Sequence, residues 1–123
     1  MKKNLLGTLA IVIAIIVAAF SAPAKRILTY VQFVGNPAIL SQVQDQTLWQ
    51  EAPSIPNCDG VNRKACRIRI DNSKLTTIPG PPHPKVLNGA MIQLNVAHGI
   101  DGVYYIPTSL SGSPGPYTIT NRN

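Results

Sequence analysis

An uncharged apolar block near the N-terminus limits what the rest of this chain can fold into. It runs from Leu5 to Phe20 and reads LLGTLAIVIAIIVAAF, and it holds a disproportionate share of the hydrophobic residues, which make up 45% of the 123 residues. The remaining chain is polar and rich in proline and glycine. The hydrophobic core of this remaining chain must therefore be small, and domains with small cores usually need a disulfide or a binding partner to be stable.

The block has the flanks of an export signal. Two lysines precede it, and Ala22-Pro23-Ala24 follows with the small-x-small pattern that signal peptidases recognise. We expect cleavage after Ala24, with cleavage after Ser21 as the second option. Residues 1–24 would then be a signal peptide with a hydrophobic signal helix, and residues 25–123 the mature domain, located in the periplasm, on the cell surface or outside the cell.

A retained membrane anchor is the alternative interpretation of residues 1–24. As a helix, residues 5–20 span roughly 24 Å, short of the roughly 30 Å hydrocarbon layer. Pro23 lies in the turn that would extend this helix to full length. An uncleaved segment would contact the membrane through residues 5–20 and hold the protein in the cytoplasmic membrane, with the same small domain outside.

Patterns typical of β-structure cover most of the mature chain. Alternating or β-branched runs predict strands in KRILTYVQFV, near Thr47–Glu51, and in CRIRI, KLTTI, AMIQLNVAHG, GVYYIP and YTIT. We expect a turn or short helical piece before Thr47, a hairpin through HGIDG and a loop at SLSGSPGP. The predicted fold is mainly β, a small antiparallel sheet or sandwich of short strands with long Pro/Gly loops. PGPPHP at residues 79–84 is predicted to be a stiff linker between a cysteine-bearing half and a C-terminal half.

The stretch NCDGVNRKAC holds both cysteines of the chain, Cys58 and Cys66. Their spacing does not match zinc hooks, and the two histidines, His83 and His98, lie far from them in sequence. A cysteine nucleophile would need a base and an orienting group, and no local signature supplies them. In an oxidising compartment two cysteines form one bridge, and Asp59-Gly60 favours the turn that closes it. We therefore predict a Cys58–Cys66 disulfide, no metal, no cofactor and no catalytic residue.

Basic residues cluster around the cysteine loop. Arg63, Lys64, Arg67 and Arg69 form a candidate anion-binding patch. The alternative is a solvated loop and strand face, which is the commoner role of such a run. The net charge of +6 falls to +4 when the two N-terminal lysines leave with the signal. This mild excess and the lack of stacking aromatics in the stretch argue against nucleic acid as the partner.

Three features of the first half recur together in a known group of proteins. They are a Lys-Lys signal that ends in small residues, an aromatic strand that ends in glycine, and a Pro-x-Cys segment whose second cysteine leads into an alternating strand. The residues that carry the last two are Tyr30, Phe33, Gly35, Pro56, Cys58, Cys66, Ile68 and Ile70. Over roughly the first 70 residues the chain resembles short exported proteins of the Bacteroidota with no assigned function. The resemblance implies export and a disulfide-bearing β unit and implies no activity; PGPPHP and the C-terminal half depart from it.

These observations predict an exported, non-enzymatic envelope or extracellular protein that acts through surface contacts. Its exposed strand edges would pair with envelope proteins or with copies of itself. One alternative is a single-span membrane protein that presents the same β domain. A weaker alternative is an enzyme that uses Cys58 or Cys66 together with His83 or His98.

Overall fold

The computed structural model describes residues 27–79 and 83–123. The predicted signal segment and the middle of the predicted proline-rich linker lie outside these residues. Eight strands are present in the described part: β1 (Leu28–Phe33), β2 (Trp49–Glu51), β3 (Lys64–Asp71), β4 (Leu75–Thr76), β5 (Val86–Leu87), β6 (Ile92–His98), β7 (Tyr105–Gly112) and β8 (Tyr117–Arg122). The helical elements there are α1 (Leu40–Val43) and two 3-10 helices, Gln46–Leu48 and Asn72–Lys74.

The strands form two antiparallel sheets, which confirms the mainly β prediction. Six of them lie in the order β4-β5-β2-β1-β3-β8, and β6 and β7 form a separate hairpin. β5 and β8 follow the proline-rich segment in the chain, yet they pair with β2 and β3, which precede it. Strands from both halves therefore build one sheet, and the C-terminal half is part of the same structure as the cysteine-bearing half.

The centre of the large sheet follows the alternation of its sequence, with one departure. Ile68 and Ile70 of β3 are fully buried, as the alternation predicts. A register shift at the start of β3 breaks the pattern, so that Ala65 joins the core cluster and Cys66 does not. Ala65 and Cys66 are both buried, at 2% and 8% exposed, so the prediction that Cys66 is buried on the side of Ile68 and Ile70 agrees with its burial, and the bulge adds Ala65 to that side.

Trp49 is the largest fully buried side chain. Its Nε1 donates a hydrogen bond to the carbonyl of Val43, at 3.0 Å, and its ring lies 5.2 Å from that of Phe33 between centroids. The 3-10 helix before Trp49 is capped by Asp45, whose carboxylate accepts from the backbone N–H of Thr47 at 2.9 Å. The short helical segment is thus tied to the core through the indole, as expected for a buried tryptophan with a satisfied N–H.

β7 is longer than the sequence pattern predicts. The prediction ended a strand at Pro107 and assigned SLSGSPGP to a loop, whereas β7 continues through Pro107 to Gly112. Pro107 opposes Val96 next to a register shift, and β7 has a strand on one side only. Proline is tolerated at such an edge because its missing N–H is not needed by a second neighbour. β5, with two residues, is too short to leave a periodic signal and was not predicted.

The loop between β6 and β7 lies directly against the start of β3. Ile100 N donates to the carbonyl of Asn62 at 2.9 Å, and Gly99 N donates to the carbonyl of Tyr104 at 2.8 Å. A Cβ on Gly99 would lie 2.4 Å from the Arg63 carbonyl oxygen, so the close approach requires glycine here. Within the described residues no helix combines the length and hydrophobicity of a membrane span.

Candidate functional site

The predicted disulfide is present. Cys58 and Cys66 are bonded across a Cα–Cα distance of 6.1 Å, and the described part of the chain contains no free cysteine. In this oxidised form neither sulfur is a thiolate that could act as a nucleophile. His83 is exposed, and His98 stacks on Tyr105 with ring centroids 4.4 Å apart. His98 thus sits at the strand end, outside the core.

Arg63, the first residue of the predicted basic patch, is committed to an ion pair. Its Nε lies 2.5 Å from Oδ2 of Asp101, in the loop between β6 and β7. The hydrogen bond from Arg63 lowers the pKa of Asp101, and the backbone N–H groups of Val103 and Tyr104 act in the same direction. The same hydrogen bond raises the pKa of Arg63. This cation therefore fastens the loop and is already paired with an anion.

Lys64 and Arg67 have aromatic and backbone neighbours. The Nζ of Lys64 lies 4.6 Å from the centre of the Tyr104 ring, a cation–π distance. Arg67 lies over the Tyr30 ring at 5.3 Å and donates from Nη1 to the carbonyl of Pro56 at 2.6 Å. Arg67 thereby ties the cysteine loop to the sheet, which gives it a structural role beside any contact with an anion.

Arg69 belongs to a basic row on the outer face of β3 and β8. The register places Arg69 opposite Thr118, Arg67 opposite Thr120 and Lys64 opposite Arg122. Like charges directly opposite each other destabilise a strand pair unless an anion lies nearby. Arg122 is a member of this row that the sequence reasoning missed. The alternation of YTIT, continued through Asn121, places Arg122 on the face of Thr118 and Thr120, but only the pairing of β8 with β3 aligns it with Lys64. Anion binding by the row stays a prediction.

Behind this row, the inner face of β8 carries a buried amide. Asn121 is 4% exposed, and its Nδ2 donates to Oδ1 of Asn62 at 3.1 Å. Its own Oδ1 has no hydrogen-bond partner. A buried acceptor without a donor costs free energy, so a hydrogen-bond donor placed beside Asn121 Oδ1 would stabilise this part of the structure. No local pattern marks Asn121, because its burial depends on β7, a separate part of the chain.

Asn121 lines a groove that separates β8 from β7. The groove has a volume of about 250 Å³ and is lined by Asn62, Ile106, Pro107, Thr108, Ile119 and Asn121. β7 and β8 belong to different sheets, so no strand ladder joins them. A second cleft, of about 240 Å³, lies beside the disulfide between Pro56 and Arg122. The groove is the stronger candidate site because it combines two strand edges with the unpartnered amide oxygen.

Among residues 27–79 and 83–123, no group of three or more His, Cys, Asp or Glu side chains is placed to hold a metal ion. Comparison of the chain with protein-family models, with curated proteins and with solved structures finds no match.

Proposed function

We propose that this is an exported, disulfide-stapled β protein that acts by binding another protein along the free edge of β8. The observation that carries the proposal is the position of β8. It is six residues long, ends the large sheet and pairs with β3 on one side only. An unpaired edge presents a row of backbone N–H and C=O groups, which is a template for an added strand.

Other edges of the two sheets are less suited to this role. β4, at the opposite end of the large sheet, has two residues. The outer edge of β7 is blunted, because Tyr105 N already donates to the carbonyl of Pro37 at 2.7 Å and Pro107 has no N–H. On β6, the carbonyl of Ile92 accepts from the side chain of Gln46 at 2.9 Å. Such covered edges are how proteins prevent strand addition.

The ends of β8 are held, which keeps its middle extended. At its start, the Tyr117 hydroxyl accepts from Leu110 N at 3.1 Å. Near its end, the carbonyl of Asn121 accepts from Gly60 N at 2.9 Å, so this backbone group is covered and the open part of the edge lies before it. Residues 118–120 lie between these two anchors. A partner strand would meet an edge that is already ordered, so that little conformational entropy is lost from β8 on binding.

Export is supported by the disulfide and by the leader sequence. A disulfide is compatible with an oxidising compartment, and the first 24 residues have the parts of a signal peptide. The resemblance to short exported proteins of the Bacteroidota points the same way. Intact mass of the protein from its native cells, under non-reducing conditions, tests this directly. We expect loss of residues 1–21 or 1–24 and of two hydrogens; a full-length chain with both thiols free would contradict export.

Site-specific photo-crosslinking tests the edge. A photoreactive amino acid replaces Thr118, which is exposed on β8, and in a matched control it replaces Ser73, which is exposed on the 3-10 helix after β3. In cells that export the protein, we expect a defined protein adduct from position 118 and none from position 73. Equal adducts at both positions, or no adduct at 118, would remove the β8 edge as the binding surface.

A further inference from the structure

We infer that the groove between β7 and β8 binds an extended segment of another protein in which acidic and apolar side chains alternate. This inference rests on the proposed function, for which it supplies the class of partner. Three properties of the groove carry it: the unpartnered amide of Asn121, the apolar walls, and the basic row on the opposite face of the same strand.

The amide determines which hydrogen-bonding groups the partner must bring. Asn121 is nine-tenths buried and its Oδ1 is an acceptor without a donor. Its neighbour Asn62 Oδ1 already accepts from Asn121 Nδ2. Pro107, across the groove, has no backbone N–H to donate. The buried side-chain oxygen of Asn121 therefore requires a donor, and an extended peptide supplies backbone N–H groups at every second residue along each edge.

The walls determine the side chains that enter. Ile106, Pro107 and Ile119 line the groove, and Ile119 packs against the core from β8. The volume of about 250 Å³ is below the roughly 300–1,000 Å³ of small-molecule sites. It suits one or two aliphatic side chains. In a strand, these inward side chains alternate with others that point to the opposite face of the sheet.

The opposite face determines the charge of those other side chains. There, β8 presents Thr118, Thr120 and Arg122, and Lys64 opposes Arg122 across the sheet. Within the described chain no carboxylate forms an ion pair with Lys64 or Arg122, whereas Asp101 is taken by Arg63. Acidic side chains on an added strand would neutralise this row. A second copy of this chain fits poorly, because the chain is basic, with a net charge of +6 that is still +4 after loss of the two N-terminal lysines.

The test uses a fluorescein-labelled eight-residue peptide of alternating Glu and Val, with an alternating Lys and Val peptide as its control. Binding to the disulfide-intact protein is followed by fluorescence anisotropy, and the site by backbone and side-chain amide NMR shifts. We expect saturable binding of the Glu/Val peptide alone, with shifts at residues 117–121 that include the Asn121 side-chain amide. Arg122→Gln should weaken binding about twofold to fivefold. Asn121→Leu should weaken it about twofold to tenfold through the lost acceptor.

Lys85→Gln, beside β5 and away from the groove, is the matched charge control and should leave binding unchanged. Arg122 is an exposed residue, so its variant keeps the test valid if Asn121→Leu fails to fold. Equal binding of both peptides, or full affinity in both the Arg122→Gln and the Asn121→Leu variant, would overturn the inference. So would binding of anionic phospholipid vesicles without binding of the peptide. If the peptide fails while crosslinking at Thr118 still captures a protein, only the partner class is wrong; if both fail, the proposed function falls as well.

Discussion

Removal of the Cys58–Cys66 disulfide tests how this small core is held together. The bridge joins residues 8 positions apart. In the chain-entropy model, closing a loop of this length lowers the entropy of the unfolded chain enough to add about 2.5 kcal/mol to the free energy of unfolding at 25 °C. Domains of this size are stable by about 5–15 kcal/mol, so the bridge supplies a large part of the net stability.

The folded loop should survive without the bridge, because other bonds hold it in place. The carbonyl of Pro56 accepts from Arg67 at 2.6 Å, and Asp59 Oδ1 accepts from Asn123 N at 3.0 Å. A Cys58→Ala/Cys66→Ala variant should therefore keep the fold and lose stability mainly through a less restricted unfolded state. For a domain of this size, a loss of about 2.5 kcal/mol corresponds to a fall in Tm of about 10–20 °C.

Fluorescence of Trp49, the single tryptophan, reports unfolding by urea and by heat. The oxidised wild type is compared with the double-alanine variant, and wild type in reductant is the control, which should match the variant. A difference below about 0.5 kcal/mol between oxidised wild type and variant would refute the entropic argument. A variant whose NMR spectrum has lost the pairing of β3 with β8 would refute it too, since the bridge would then be acting on the folded state.

Three further predictions follow from single contacts. Gly99→Ala places a Cβ against the Arg63 carbonyl and should lower the free energy of unfolding by about 1–3 kcal/mol. Its control is Gly89→Ala, whose Cβ would meet Gln46 at an ordinary 3.5 Å and which should leave stability unchanged. Equal midpoints of the two variants in urea unfolding would contradict the packing of the loop against Arg63. Trp49→Phe removes the donor to a buried carbonyl and leaves a void, so its unfolding free energy should fall by about 2–4 kcal/mol, and a loss below 1 kcal/mol would be inconsistent with the buried indole bond. The pKa of Asp101 in the folded protein lies below its ordinary 3.8, so its ion pair stabilises the fold above that pH, and this contribution is lost as the pH falls through the folded pKa. In thermal melts between pH 6 and 2, the Asp101→Asn variant should therefore lose less stability toward low pH than the wild type. Identical dependence of Tm on pH in the two proteins would disprove the linkage.

Much of the local structure could be predicted from the sequence, because successive side chains of a strand point to opposite faces of the sheet and so produce an alternating pattern of apolar and polar residues. The alternation in CRIRI identified the buried Ile68 and Ile70. The proline and glycine positions marked several strand ends, and the pair of cysteines behind a predicted export signal led to the prediction of the disulfide, which is present. Trp49 lies in the strand predicted near Thr47–Glu51, and its side chain is fully buried in the core. The pattern failed where a strand was very short, as in β5, and where an edge position accommodates proline, as at Pro107.

The candidate site could not be predicted from alternation within single segments. Arg63 meets Asp101 from 38 positions away, and Asn121 meets Asn62 from 59 positions away. Such pairs depend on which strands become neighbours and in what register, and both depend on the summed packing of distant segments. A one-residue bulge at the start of β3 was enough to bring Ala65 into the core cluster, which strict alternation along this strand does not predict.

The sequence by itself determined the class of fold, the covalent staple and the alternation of each longer strand, because these follow from residues close together in the chain. The tertiary structure decided that β8 ends its sheet, that Arg122 extends the basic row and that Asn121 is buried beside a groove. Those properties arise where segments far apart in the chain meet, and backbone geometry within a single segment carries no information about them.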